Sequence, residues 1–386
     1  MNYFSSNFKL GILGGGQLGK MLLTETRKFD IYTSVLDPST EAPCKVGSNE
    51  FHLGDLMDYD TVYNFGKQVD VLTIEIENVN VNALEALEKE GIKVFPASKT
   101  LRTIQNKAKQ KLFYVDHDIP TAPFSRFAYT IEIKDAISNG GLELPFVWKS
   151  AQFGYDGTGV KIVREISDLD SLPNVECIAE TLVPFKNELS VIVARNPSGD
   201  IKTYPVVEME FHPEANQVEY VICPARIDEA VAKKATDVAL KVAKAFNHVG
   251  LLAVEMFQTK NDDILVNEVA PRPHNSGHQS IEASYTSQFE QHLRSVLDLP
   301  LGSTANKTNG IMVNLVGAEG HSGDVIYKNI ESIMAMEGVT PHIYGKKQTR
   351  PFRKMGHVTI VNEDMAEARK IAENVKKSIE VITNKN

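Results

Sequence analysis

Two glutamates stand inside otherwise apolar runs: Glu255 in Leu251-Leu252-Ala253-Val254-Glu255-Met256-Phe257, and Glu268 in Ile264-Leu265-Val266-Asn267-Glu268-Val269-Ala270. Between them lies Thr259-Lys260-Asn261-Asp262-Asp263, rich in turn formers. A two-residue Asn261-Asp262 turn pairs Glu255 with Glu268 directly across a hairpin, with Cβ atoms ~4.5–5.5 Å apart. Carboxylates that close repel, so either one is protonated or a divalent cation sits between them. Oxygen donors with no Cys or His pattern nearby favour Mg2+ (or Mn2+) over zinc, and Asn267 adds another oxygen. A different turn register leaves both acids solvated; the apolar flanks favour the metal site.

The segment Pro271-Arg272-Pro273-His274-Asn275-Ser276-Gly277-His278 follows directly. Arg272, His274, Asn275 and Ser276 are donors packed into five residues, and two prolines lower the cost of holding them. It reads as a loop for an anion or polar ligand beside the metal, or else as a structural loop.

Two glycine-rich turns address phosphate. Gly14-Gly15-Gly16-Gln17-Leu18-Gly19 fits G-x-G-x-x-G after a strand and before a helix, with Asp37 about twenty residues on. Dinucleotide binding, a single phosphate and a purely structural turn all remain open; Met21, where a P-loop needs Ser or Thr, excludes that motif. Further on, Lys149 ends an apolar strand and is followed by Gly154, Gly157 and Gly159. Such a loop folds over phosphate oxygens that the lysine neutralises, or is an ordinary hairpin. Glu180-Thr181-Leu182-Val183 leaves a strand as an adenine hinge, with Glu188 positioned to accept from ribose hydroxyls; taken singly these are surface acids. Together, paired carboxylates, a glycine flap with its lysine and no P-loop describe an ATP–Mg2+ site between two antiparallel sheets.

The elements that must position these groups change along the chain. Up to about residue 100, strands at Leu10–Leu13, Ile31–Leu36, Val71–Ile74 and Ile92–Phe95 alternate with helices at Gln17–Lys28 and Val79–Glu88, the rhythm of a doubly wound parallel sheet. A helix over 101–116 opens an α+β region. It has strands near 145–149, 160–163, 176–180, 187–195, 201–209, 217–222, 250–257 and 263–270, with helices near 227–247 and 286–298. Leu301–Asn309 reads as a linker, and the tail from Gly310 as a small α+β domain ending in a helix over 364–381.

The chain has 386 residues, 42% hydrophobic and 24% charged, the balance of a globular protein of two or three domains. No apolar run is long enough to span a membrane, and the first residues lack the basic-then-apolar order of a signal peptide. Cys44, Cys177 and Cys223 are too few and scattered for a disulfide framework and fit a reducing cytoplasm. A net charge of -9 disfavours a nucleic-acid footprint.

Five stretches, in order, resemble the ATP-grasp superfamily and, within it, the family of 5-(carboxyamino)imidazole ribonucleotide synthases. They are Gly14–Gly19, Thr73-Ile74-Glu75-Ile76-Glu77-Asn78-Val79, Gly154–Gly159, Asn267–His278 and Arg350-Pro351-Phe352-Arg353-Lys354-Met355-Gly356-His357. The resemblance implies a Rossmann-like pre-ATP-grasp domain over 1–100, an ATP-grasp domain of two antiparallel sheets over 101–300, and a small C-terminal α+β domain over 301–386 that closes the substrate site. It implies a ligase that uses ATP and bicarbonate to carboxylate 5-aminoimidazole ribonucleotide through carboxyphosphate, releasing ADP and phosphate, in purine biosynthesis. By position, Lys107, Lys149, Gly154, Tyr155, Asp156, Gly157, Thr158, Gly159, Val160, Glu180, Thr181, Leu182, Val183, Glu188, Asn267 and Glu268 hold ATP, and Glu255 and Glu268 hold Mg2+. Tyr155, Asp156, Arg272 and His274 form the catalytic group. Gln17, Glu77, Arg272, Asn275, Ser276, Arg350 and Lys354 receive the ribonucleotide. Lys107 stands where relatives commonly have arginine, Val160 where glutamine is frequent and Ile76 where phenylalanine is. The family implies a homodimer with small-molecule partners and neither nucleic acid nor membrane. Rival readings are another ATP-grasp ligase, such as a formate-dependent transformylase, and an NAD-dependent dehydrogenase built on the first glycine turn.

Overall fold

The computed structural model describes residues 2–152, 159–212 and 217–384. Its first sheet contains β1 (Lys9–Leu13), β2 (Tyr32–Asp37), β3 (Glu50–Leu53), β4 (Val71–Ile74) and β5 (Lys93–Phe95), all parallel in the order β3-β2-β1-β4-β5. Helix α1 (Gln17–Lys28) covers one face with Leu18, Leu22 and Leu23. Helices α2 (Tyr59–Gly66) and α3 (Val81–Lys89) cover the other, packing Val62, Phe65, Leu84 and Leu87 on Leu13, Leu72 and Ile74. β3 and α2 are additions to the expected pattern. Strand β3 is not fully buried and has no clean alternation, and α2 is only eight residues, started by Asp58, whose carboxylate accepts from Thr61 N at 2.8 Å.

The expected helix over 101–116 is two helices, α4 (Ser98–Ile104) and α5 (Lys107–Asp116). Asn106 makes the break: its side-chain oxygen accepts from Lys109 N at 2.9 Å and so starts a new helix at Lys107. A four-stranded antiparallel sheet follows, β6-β9-β7-β8, from β6 (Phe124–Phe127), β7 (Phe146–Ser150), β8 (Val160–Val163) and β9 (Cys177–Thr181), backed by α6 (Glu132–Ser138).

The large sheet begins with β10 (Phe185–Arg195), β11 (Ile201–Thr203), β12 (Val207–Phe211) and β13 (Val218–Cys223). After α7 (Glu229–Ala245) come β14 (Gly250–Thr259) and β15 (Ile264–Ala270). Helix α7 buries Val231, Ala235, Ala239 and Val242 against Leu189, Val191, Leu252 and Val254. The short α8 (Ser280–Ala283) leads to α9 (Gln288–Val296), which leaves this region to cover the N-terminal sheet with Phe289, Leu293 and Val296.

The tail supplies β16 (Asn309–Val316), β17 (Gly323–Asp324), β18 (Ile326–Lys328), α10 (Ile330–Met334), β19 (Val339–Ile343), β20 (Gln348–Thr349), β21 (Lys354–Asn362), α11 (Met365–Ser378) and β22 (Glu380–Ile382). Its main strands do not form a separate sheet. β16 pairs with β13 and β21 with β16, giving the single path β15-β14-β10-β12-β13-β16-β21-β19, with β11 beside β10. The open edge of β13 is thereby satisfied by the C-terminal segment. Among the described residues no helix is long and apolar enough to cross a membrane.

Candidate active site

Strands β14 and β15 turn one face to α7 and the other to a cleft. On the core face Val254 pairs with Val269 and Met256 with Val266; between those pairs Glu255 faces Glu268. One residue opposes two here: the register shifts between Glu255 and Met256, and Asn267 is the extra residue of a β-bulge. The hairpin loop is also longer than the expected two-residue turn. Thr259 N donates to Asp263 O at 2.9 Å, around Lys260-Asn261-Asp262, with Asp262 left-handed at φ 62. A three-residue loop alone would have shifted the register by one; the bulge restores it. It also puts Asn267 and Glu268, consecutive residues, toward the same cleft.

Glu188 and Ser190 on β10 share that face, opposite Phe257 and Glu255. Three lysines converge from the other side. Lys107, first residue of α5, donates to Glu268 Oε2. Lys149 at the end of β7 donates to Asn267 Oδ1 at 2.8 Å and lies 3.3 Å from both oxygens of Glu180. Lys111 lies 2.7 Å from Glu180 Oε2 and donates to Thr121 Oγ1 at 2.5 Å. Lys111 was not singled out from sequence; the available signal was its place four residues after Lys107, on the same face of α5. Burial lowers its pKa to about 8. The charge of Lys107 holds Glu268 low, whereas burial, then Glu268 and Glu188, push Glu255 up. Burial and the charge of Glu268 raise Glu188 to about 7.

The Arg272–Ser276 loop closes one end of the cluster. His274 Nε2 lies 3.2 Å from Glu255 Oε1. Its Nδ1 accepts from Ser276 N at 3.3 Å and lies 2.9 Å from Ser276 Oγ, which is 2.9 Å from Ser190 Oγ. Because Nδ1 accepts a main-chain N–H, the proton is on Nε2, toward Glu255. Arg272 Nε lies 2.8 Å from Glu77 Oε1, joining the first domain to this loop, and Asn275 exchanges amide hydrogen bonds with Asn314 on β16 at 3.0 and 2.9 Å. Gln17 opens α1, Lys354 opens β21 and acts on Glu255 by its charge, and Arg350 is exposed in the turn before β21.

At the proposed hinge, Glu180 is paired on both sides by β6 and β7 and its carboxylate is committed to lysines, while Thr181 N donates to Pro123 O at 2.9 Å. Leu182 and Val183 are where the main chain leaves the sheet. Gly159 accepts from Ser150 N at 2.9 Å and Val160 begins β8. The expected site residues Gly154, Tyr155, Asp156, Gly157 and Thr158 lie outside the described residues.

The first glycine turn is filled by the protein itself. The carboxylate of Glu75, just past β4, accepts from Leu18 N at 3.1 Å and Gly19 N at 3.0 Å, the position where a dinucleotide phosphate would bind a helix N-terminus. Asp37 accepts from Gly15 N at 2.7 Å, so it holds the turn instead of facing a ribose. Of the alternatives left open for this motif, the dinucleotide one is overturned. A Cβ on Gly16 would stand 2.7 Å from Glu75 Oε1. Gly16→Ala is therefore expected to destabilise the fold by about 1–2 kcal/mol in chemical denaturation, because a buried, hydrogen-bonded carboxylate must move.

Three family descriptions match successive parts of the chain: ribonucleotide synthetase preATP-grasp domain over 8–105, ATP-grasp domain over 112–289, and phosphoribosylaminoimidazole carboxylase C-terminal domain over 310–371. The N5-carboxyaminoimidazole ribonucleotide synthase of Bacillus subtilis is 37% identical over 358 residues, covering 92% of this chain and 91% of that one. The chain belongs to the N5-carboxyaminoimidazole ribonucleotide synthase family of ATP-grasp enzymes. A synthetase of this family from Thermotoga maritima superposes with a TM-score of 0.89 at 40% identity, covering 98% of this chain and 100% of its own. The Aspergillus clavatus synthase, solved with ADP and 5-aminoimidazole ribonucleotide, gives 0.88 at 32% identity, covering 96% and 98%. Plant and fungal relatives named phosphoribosylaminoimidazole carboxylase are longer, and the chain spans 64–65% of their length.

For an N5-carboxyaminoimidazole ribonucleotide synthase the donor set is informative. Among the described residues no three His, Cys, Asp or Glu side chains form a metal-binding group. Two facing carboxylates and an adjacent amide oxygen fit a hard divalent cation whose other ligands are phosphate oxygens and water.

Proposed function

We propose that this chain is an ATP-dependent ligase that carboxylates 5-aminoimidazole ribonucleotide with bicarbonate, giving 5-(carboxyamino)imidazole ribonucleotide, ADP and phosphate in purine biosynthesis. The supporting observation is Glu255 facing Glu268 beneath Lys107 and Lys149, beside the Arg272–Ser276 loop, in a chain similar over nearly its whole length to a synthase solved with ADP and 5-aminoimidazole ribonucleotide.

In this reading Glu255 and Glu268, with Asn267 adjacent, hold Mg2+ or Mn2+, which neutralises charge on the phosphates when bound. Lys107 and Lys149 turn to the same phosphates, and Leu182 and Val183 face adenine with Glu188 at the ribose. The Gly154–Val160 loop covers the phosphates and excludes water, which preserves carboxyphosphate long enough for the amine to capture its carbon dioxide. Arg272 and His274, with Tyr155 and Asp156, orient bicarbonate and the amine. Gln17, Glu77, Asn275, Ser276, Arg350 and Lys354 hold the ribonucleotide between the 1–100, 101–300 and 301–386 domains. We place the enzyme in the cytoplasm as a homodimer, which light scattering of the purified protein tests.

The deciding experiment measures ADP release with and without 5-aminoimidazole ribonucleotide and bicarbonate. Turnover that needs both supports the assignment; turnover with formate in place of bicarbonate would transfer it to a transformylase. Lys354→Ala is expected to raise the ribonucleotide KM about tenfold or more with a smaller change in kcat, since a phosphate contact is made equally in ground and transition states. An unchanged KM removes Lys354 from the phosphate site.

A further inference from the structure

The two carboxylates on either side of the nucleotide cleft, Glu180 buried and Glu268 partly exposed, are neutralised in different ways. Glu180 is held by Lys111, whose side chain is 3% exposed, and by Lys149. If Lys149 turns to another anion, Glu180 keeps Lys111. Among the described residues Glu268 is ion-paired with Lys107, whose side chain is 16% exposed. The backbone of Lys107 is fixed: its N–H donates to Ala151 O at 2.8 Å, and the Asn106 cap that starts α5 also donates to Glu176 Oε2 at 3.2 Å. Its four-carbon stem is the adjustable part.

Glu268 is thus occupied by a cation that the protein carries itself. Resting on the reading of this cleft as a metal–nucleotide site, we infer that Lys107 is the resident counter-ion of Glu268, displaced only when metal and nucleotide arrive together. A divalent cation alone must share Glu268 with the ammonium already paired to it, and like charges that close repel. A nucleotide alone brings phosphates toward Glu255, Glu268 and Glu188. When both bind, the ammonium of Lys107 passes to a phosphate oxygen and Glu268 passes to the metal. By moving between Glu268 and phosphate, Lys107 makes each ligand's affinity depend on the other, a coupling that is reciprocal by linkage.

Mn2+ binding followed by electron paramagnetic resonance, with and without ADP, tests this in the full-length protein without any turnover. Wild type is expected to bind Mn2+ weakly alone and much more tightly with ADP. Lys107→Met and Lys107→Gln, the second being neutral yet able to hydrogen-bond Glu268, are expected to bind Mn2+ alone on the order of tenfold more tightly than wild type, with a smaller gain from ADP. Lys107→Arg keeps the charge and stays weak. Neutral variants that bind Mn2+ alone no more tightly than wild type, or an arginine variant as tight as methionine, overturn the inference. Wild type that binds no Mn2+ even with ADP overturns the site reading beneath it, a separate and recognisable failure.

Discussion

Glu268→Gln is expected to lower kcat on the order of 10²-fold or more. The substitution keeps size and shape and removes one negative charge at a place where Lys107 and Lys149 converge. In the ligand-free protein that charge anchors Lys107, and the charge of Lys149 also acts on it. Glutamine leaves Lys107 without its anionic partner. It also leaves Glu255 without its closest like charge, so the Glu255 carboxyl falls toward its ordinary range. Of the proposed metal ligands one carboxylate and two amides then remain, a poor set for a hard divalent cation. Steady-state ADP release with Mg2+, bicarbonate and 5-aminoimidazole ribonucleotide reads the effect, and far-ultraviolet circular dichroism checks the fold. Wild-type turnover in this variant removes Glu268 from the metal site.

How far this site could be read from the sequence depends on how local each signal is. Acids inside apolar runs, separated by turn formers, announce a hairpin with charges on one face; the structure pairs Glu255 with Glu268 as expected. The route was not legible. The three-residue loop and the bulge at Asn267 cancel, and nothing in Val266-Asn267-Glu268 marks a bulge before pairing partners are known. Glu75 is the opposite case. It sits in a recognised stretch, yet its burial against the glycine turn is a contact across more than fifty residues, and the turn alone looked equally suited to a phosphate. Lys111 was invisible for a related reason: in a Lys-rich helix, only the packing of α5 against β9 separates a buried lysine from a solvated one. The alternation of the first hundred residues gave the parallel sheet directly. The tail reads from sequence only as a small α+β domain ending in a helix; that β16 joins β13 is a choice of sheet edge that local pattern does not encode.

Relative to wild type, Glu188→Gln is expected to gain stability as pH rises from 5 to 8 in the ligand-free protein, by about 2 kcal/mol in all. Glu188 is half-buried beside Glu268, and its carboxyl is raised to about 7 from the ~4.3 of an unfolded chain. Between those values the folded state binds more protons than the unfolded state, so stability falls with increasing pH. The favourable contribution is complete below about pH 4 and lost as pH climbs through 7. A full shift of that size corresponds to about 3–4 kcal/mol, reduced here because the group is not fully shielded. Glutamine has no proton to lose and so keeps a constant contribution. His248, lowered to about 4 by burial, and His292, lowered to about 3, give the opposite slope between their folded values and ~6.5, because the unfolded state binds the extra proton. Both histidines are present in each protein and cancel in the difference. Glu255 is shifted in the same direction as Glu188; removing the charge at 188 relieves it as well, which enlarges the gain. Urea denaturation of the two proteins at pH 5, 6, 7 and 8 reads the difference directly. A gap that stays constant across that range means Glu188 ionises at its ordinary value, and the crowding of carboxylates around Glu268 carries no energetic cost that a bound cation would need to relieve.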